Sequence, residues 1–207
     1  MYPLFESIKV VDGQSINLEW HQRRMDNSRL KVLGRTDHLN LQAILEIPEE
    51  FVDGLVKCRV SYGVSLGTTT FTNYIQKDIT SLQQVECEPF DYSFKYEDRN
   101  KLEQLYQQRG SCHEVLITHD GIITDTSYSN VALFDGSHWY TPEQPLLEGT
   151  QRAKLLASGL IKPSNLHISD LSGFEKLVLI NAMLEFPSKD SISIDKIKFW
   201  NQSRITF

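Results

Sequence analysis

"HEVLITHDGIITDTSYSNVALF", His113 to Phe134, sets two runs of apolar and β-branched residues on either side of a His-Asp-Gly turn and a patch of small hydroxyl residues. The composition of both runs predicts strands, with His119 in the turn between them. Further strands are expected at "HWYTP", "NLHIS" and "KLVLINAML", with a helix in "TQRAKLLASG". Upstream, "LFESIKVVDGQSINLEW" reads as a hairpin around Asp12-Gly13, because that dipeptide supplies the positive backbone angles of a tight turn. Trp20, Met25, Leu30 and Val32 then mark an amphipathic helix stopped by Gly34, and a short helix follows near Leu39 to Leu45. "GLVKCRVSYG" and "TTTFTNYIQK" read as strands, and "ITSLQQVEC" as a crossing strand. "DYSFKYEDRN", Asp91 to Asn100, is expected to be a strand leading to a helix whose Asn100 and Glu103 have capping-box spacing. Helices and short strands mix without a regular βαβ rhythm, so the fold class is α+β rather than a doubly wound sheet.

The chain of 207 residues is long enough for a sizeable core, with a soft boundary that divides it into residues 1–80 and 81–207. A net charge of −6, with acids and bases interspersed, gives no electrostatic footprint for nucleic acid or an anionic membrane. No segment approaches the ~20 apolar residues of a membrane span, and the amino terminus has no signal-peptide pattern. Cys58, Cys87 and Cys112 are too few and too widely spaced for a disulfide framework, which fits a reducing cytoplasm. The histidines lack metal-ligand spacing, so no metal is expected. Nucleophile-elbow, Walker and dinucleotide glycine motifs are absent from the sequence.

Alternation along "DYSFKYEDRN" puts Tyr92, Phe94 and Tyr96 on one face and Lys95 on the other. Read alone, Lys95 is an exposed edge-strand lysine; desolvated, its amine would be neutral and able to form a Schiff base. Asp125 reads either as a turn residue or as a buried carboxylate able to hold a pyridine nitrogen protonated. Gly149 and Thr150 open a helix, which is an ordinary capped start or a phosphate site. The arginines of the first helix, Arg23, Arg24 and Arg29, are a solvated face or a source of a phosphate-binding guanidinium.

In order along nearly the whole chain, these segments resemble the class IV aminotransferases, the pyridoxal-phosphate enzymes of fold type IV. "LFESIKVVDGQSINLEWHQRRM" looks like the family's Phe-Glu strand, hairpin and helix with His and Arg. "FKYEDR" is similar to its Schiff-base segment, the quoted central stretch to its long acidic-strand-turn pattern, and "YTPEQPLLEGTQR" to its Thr-Pro and phosphate turn. The resemblance implies Lys95 as Schiff-base lysine and base, Arg24 as phosphate ligand, and Asp125 as partner of the ring nitrogen. It further implies the amides of Thr150 and Gln151 in the phosphate cup, Asn181 as a phosphate-side ligand and Arg59 as a carboxylate ligand for a small amino substrate. Arg59 read alone is as readily an exposed edge-strand arginine.

The resemblance also implies a small amino-terminal α+β domain and a larger barrel-like domain with the cofactor between them, in a homodimer. Three features depart from the family pattern. Asp125 replaces a glutamate, Glu148 replaces the proline of the phosphate turn, and the chain opens almost at the Phe-Glu strand without the preceding hairpin that helps form the substrate pocket. The Asn-Ala of "INAML" resembles aminodeoxychorismate lyase, which makes 4-aminobenzoate for folate synthesis, more than the branched-chain enzymes. An amino-acid aminotransferase of branched-chain or D-amino-acid type is the alternative, and a cofactor-binding protein without catalysis a third.

Overall fold

The computed structural model describes residues 3–188 and 190–199. The predicted hairpin is β1 (Leu4–Val11) and β2 (Gln14–Ser15), turned by Asp12 and Gly13 at φ 46° and 73°. Helix α1 (Leu18–Leu33) follows and ends at Gly34, whose φ of 63° lets its amide reach back to the last carbonyls. A single turn, α2 (Leu41–Ile44), leads to β3 (Leu55–Tyr62) and β4 (Leu66–Asn73). The first sheet has the order β2-β1-β3-β4, all antiparallel.

Alternation sorts the residues of that sheet. On β3, Val56, Cys58, Val60 and Tyr62 are buried under α1, whereas Lys57, Arg59 and Ser61 face the other side. The register pairs Ser7 with Arg59 and Lys9 with Lys57, so Phe5, Ser7 and Lys57 share the face away from α1. Glu6 points the opposite way, into an apolar core of Leu4, Ile8, Val10 and Met25.

The remainder begins with β5 (Leu82–Glu86) and α3 (Asn100–Tyr106). Strands β6 (Glu114–His119), β7 (Ile122–Ile123), β8 (Asn130–Phe134) and β9 (Trp139–Pro142) follow, then α4 (Thr150–Ala157). Last come β10 (Lys162–Ser164), β11 (Lys176–Ile180), β12 (Ile192–Ser193) and β13 (Ile197–Lys198). They form two sheets, β10-β9-β8-β11-β12 and β13-β5-β6-β7, with parallel pairing at β9/β10, β5/β6 and β5/β13. A core of Leu82, Leu116, Ile123, Val131, Leu133, Leu177 and Leu179 draws residues from both sheets. The fold is a mixed one in which antiparallel meanders and a few crossovers share the sheets, as the absence of a βαβ rhythm predicts. Among the described residues no helix is long and apolar enough to cross a membrane.

Three local expectations are corrected. Asp91 to Asn100 is not a strand: its ladder is the single bridge of Tyr96 to Leu4. Local bonds take the place of a partner strand, since Asp91 accepts from the Ser93 amide at 2.9 Å, Tyr96 donates to the Phe94 carbonyl at 2.8 Å, and Asp98 accepts from the Asn100 amide at 2.9 Å. That last bond also displaces the expected capping box, because α3 begins at Asn100 itself and its cap residue is Arg99. "NLHIS" is no strand either; His167 makes one bridge to Ile122 and caps the 3-10 turn Ile168–Gly173 by accepting from the Ser169 amide.

Candidate active site

Lys95 lies in the irregular segment before α3, and two backbone bonds tie that segment to β1. The Phe5 amide donates to the Lys95 carbonyl at 3.0 Å and the Glu97 amide donates to the Pro3 carbonyl at 2.8 Å. Alternation of faces survives the loss of the strand in part: Phe94 and Tyr96 pack into the cores, while Lys95 points into a cleft of about 320 Å³ whose wall Tyr92 shares. Its Nζ stands 4.7 Å from the centre of the Phe5 ring. Burial, reinforced by the positive charge of Arg24, lowers its pKa from 10.5 to about 7. At neutral pH a large share of Lys95 therefore carries a free lone pair.

Arg24, Asp125, Thr150 and Asn181 line the same cleft. Arg24 is on α1, aimed by Glu6, to whose two carboxylate oxygens it donates at 2.9 and 2.5 Å. His21, one turn earlier, donates to Glu6 at 2.7 Å. Burial opposes the Glu6 charge, yet Arg24 and His21 overcome it and hold the carboxyl at about 2. Glu6 and His21 are fully buried, whereas the Arg24 side chain keeps 13% exposure where it meets the cleft.

Asp125 follows β7 and is buried beside β8. One oxygen accepts from Asn130 Nδ2 at 2.7 Å, the other from the Leu147 amide at 3.0 Å. Burial outweighs these bonds and raises its pKa from 3.8 to about 7. Asn130 also donates to the Leu147 carbonyl at 2.7 Å, which draws the turn before α4 against β8. Gly149 is required there, since a Cβ would run into the Asn130 amide oxygen.

Thr150 opens α4, and its first amides have no earlier carbonyl within the helix. Glu148 is exposed and does not line the cleft. Asn181, just past β11, donates to Ser129 Oγ at 2.9 Å and accepts from the Met183 amide at 2.9 Å.

Two of the residues that the resemblance implies for the site do not line the cleft. Gln151 is next to Thr150, but its side chain accepts from Asn17 at 3.0 Å, leaving only its backbone amide in the first turn. Arg59 stacks on the Phe5 ring at 3.9 Å and donates to both oxygens of Glu97 at 2.8 and 2.5 Å, which holds its guanidinium outside the cleft lining. Arg29 is a structural residue, holding the carbonyls of Gly63 and Val64 and both the carbonyl and carboxylate of Asp37.

Sequence reasoning missed Lys57 and Arg99, which do line the cleft. Lys57 lies two residues before Arg59 on the same outward face, so the alternation that marks Arg59 marks it too. Arg99 donates to the Ser127 carbonyl at 2.7 Å, while its buried Nε has no protein partner.

The amino-transferase class IV family model matches residues 3–188. This chain belongs to that family. It is a pyridoxal-phosphate-dependent enzyme, and the cleft fits the group: an amine of lowered pKa, a cationic side chain beside helix-terminal amides, and a buried carboxyl surround one cavity. A Haemophilus influenzae protein described as "Uncharacterized protein" is 36% identical over 185 residues, 88% of this chain and 98% of its own. A solved Haemophilus somnus structure, described as a "putative 4-amino-4-deoxychorismate lyase", is 35% identical, with a TM-score of 0.79 over 88% of this chain and 97% of its own. The pyridoxal-phosphate-bound form of a Mycobacterium tuberculosis "hypothetical aminotransferase" is 17% identical, with a TM-score of 0.71 over 94% of this chain and 81% of its own, a likeness of fold.

Proposed function

We propose that the enzyme is an aminodeoxychorismate lyase, releasing pyruvate and 4-aminobenzoate for folate synthesis. The observation that carries this reading is the placement of Asn181 and Ala182, the lyase-like Asn-Ala pair, on the wall of the cleft that holds Lys95. The likeness to the Haemophilus somnus protein supports it. On this reading the cofactor lies between an amino-terminal unit, residues 1–80, and a carboxy-terminal unit, residues 81–207, of a cytoplasmic homodimer.

Bound pyridoxal phosphate supplies a carbonyl for capture of an amine and a protonated ring that accepts an electron pair. Arg24 and the amides of Thr150 and Gln151 hold its phosphate, where a guanidinium and a helix N-terminus act on the same anion. Asn181 takes the phosphate side of the cleft. Asp125 would hold the ring nitrogen of the group protonated, and the positive charge there would favour its ionised form against the burial that raises its pKa. Lys95 would hold the cofactor, and its amine of lowered pKa would accept the proton from the substrate carbon. Lys57 and Arg99 replace Arg59 as ligands for the substrate carboxylates, because they line the cleft and Arg59 is paired with Glu97.

Asp125→Asn keeps the shape but removes the charge that holds the ring protonated, and because an amide nitrogen cannot accept, it gives up one of the two bonds from Asn130 and Leu147. The expected result is retained cofactor and a rate lower by about 100-fold. An unchanged rate would remove Asp125 from the site.

Product analysis tests the assignment. Incubation with 4-amino-4-deoxychorismate is expected to release 4-aminobenzoate and pyruvate in equal amounts. Amino-group transfer from a panel of L- and D-amino acids to 2-oxo acids, without 4-aminobenzoate, would make it an aminotransferase, and neither product would overturn both readings.

A further inference from the structure

We propose that Asn17 is a positioning residue for the cofactor's phosphate: it locks α1 to α4, so that Arg24 and the α4 amides form one preset anion clamp. The inference rests on the reading of Arg24 and the start of α4 as the phosphate site. Those two parts come from opposite halves of the chain, and neither alone surrounds an anion. Asn17 joins them directly. Its Nδ2 donates to Gln151 Oε1 at 3.0 Å and its Oδ1 accepts from Lys154 Nζ at 2.6 Å.

The two partners of Asn17 are three residues apart on α4, hence on one face, so the pair fixes the rotation of that helix about its axis. Gln151 is also the residue whose amide belongs to the clamp. Asn17 itself is held rigidly: it precedes α1 at φ 57°, a left-handed conformation that asparagine tolerates, and its carbonyl accepts from the Trp20 amide at 3.1 Å.

One turn on, His21 adds a second tie. Glu6 is ionised and can only accept, so the His21 Nδ1 carries the proton and Nε2 is left as an acceptor. Nε2 stands 3.5 Å from Thr150 Oγ1, a long contact that the hydroxyl can close by donating to it. Glu6 aims Arg24 from below while Asn17 and His21 set α4 against the same helix. Removing Asn17 leaves every group that touches the phosphate in place but frees their relative position, and a less preset clamp binds more weakly.

The test is titration of the cofactor-free protein with pyridoxal phosphate and with pyridoxal, which lacks the phosphate. Asn17→Gly deletes both side-chain bonds and suits the left-handed backbone, so folding is retained. It is expected to weaken pyridoxal phosphate binding by about tenfold and leave pyridoxal binding unchanged. Asn17→Asp keeps the acceptor for Lys154 and can accept from a turned Gln151 amide, so it is expected to restore most of the loss. Equal binding of pyridoxal phosphate by wild type and Asn17→Gly would overturn the proposal. So would equal weakening toward both ligands, the mark of a general structural role. Failure of the wild-type protein to prefer pyridoxal phosphate over pyridoxal would overturn the phosphate site itself, and the role of Asn17 with it.

Discussion

Lys95→Ala is expected to lower turnover by at least about 10,000-fold at saturating cofactor, with the fold retained. Two functions depend on the same amine, the covalent anchor and the proton acceptor, and neighbouring groups cannot share them without moving. The backbone around Lys95 is fixed by its bonds to β1, so the side chain enters the cleft from a defined point above the Phe5 ring. Its lowered pKa of about 7 arises from burial first and from Arg24 second, so the position and the charge state have a common origin in the clamp around it. Alanine there removes a partly desolvated cation rather than a packing group, and stability should change little. The check is the steady-state rate beside circular dichroism; a folded variant with the full rate would contradict the mechanism.

The second large effect falls on stability. Glu6→Ala leaves the largely buried Arg24 guanidinium and the fully buried His21 imidazole without their carboxylate, and is expected to destabilise the fold by about 3–5 kcal/mol. It should also release Arg24 from the orientation that faces the cleft and so weaken cofactor binding. A pH dependence follows from the same group. The folded chain refuses a proton at Glu6 until about 2, whereas an ordinary glutamate takes one near 4.5. The stabilisation from Glu6 is thus complete above about 4.5 and is lost as pH falls from there toward 2. Denaturant midpoints of wild type and Glu6→Ala should differ most at neutral pH and converge in acid. Curves that stay parallel down to the acid limit would show that the carboxylate charge is not what stabilises the region.

Much of this was legible in the residues. Asp12-Gly13 and Gly34 marked a hairpin turn and a helix stop because both places need positive φ, and the structure has φ of 73° and 63° at the two glycines. Lys95 shows a sharper distinction. Alternation set Phe94 and Tyr96 apart from Lys95, and that held, although Tyr92 shares the cleft with Lys95; the ladder that usually accompanies alternation did not form, because aspartates near both ends of the stretch bond their own backbone. Period-two patterning reports where side chains point, whereas strand formation depends on a partner edge that the pattern does not contain.

Glu6 was unreadable as an organising group for a related reason. Period two sets Glu6 on the face of Leu4, Ile8 and Val10, but the histidine and arginine that make a buried carboxylate tolerable there lie on the next helix, 15 and 18 positions on. Longer range hid the rest: Asn17 meets Gln151 across 134 positions. Arg59 drew attention for its charge, but its partner Glu97 lies 38 positions away and occupies it, leaving Lys57 to reach the cleft.

The central claim is that Lys95 is the residue that holds the cofactor. The direct measurement is incubation of the wild-type protein with pyridoxal phosphate, reduction with borohydride and peptide mass spectrometry. The account predicts one pyridoxyl-phosphate adduct, on the peptide containing Lys95. An adduct at Lys57 or at Lys77, which also lines the cleft, a scatter over surface lysines, or no adduct would contradict it.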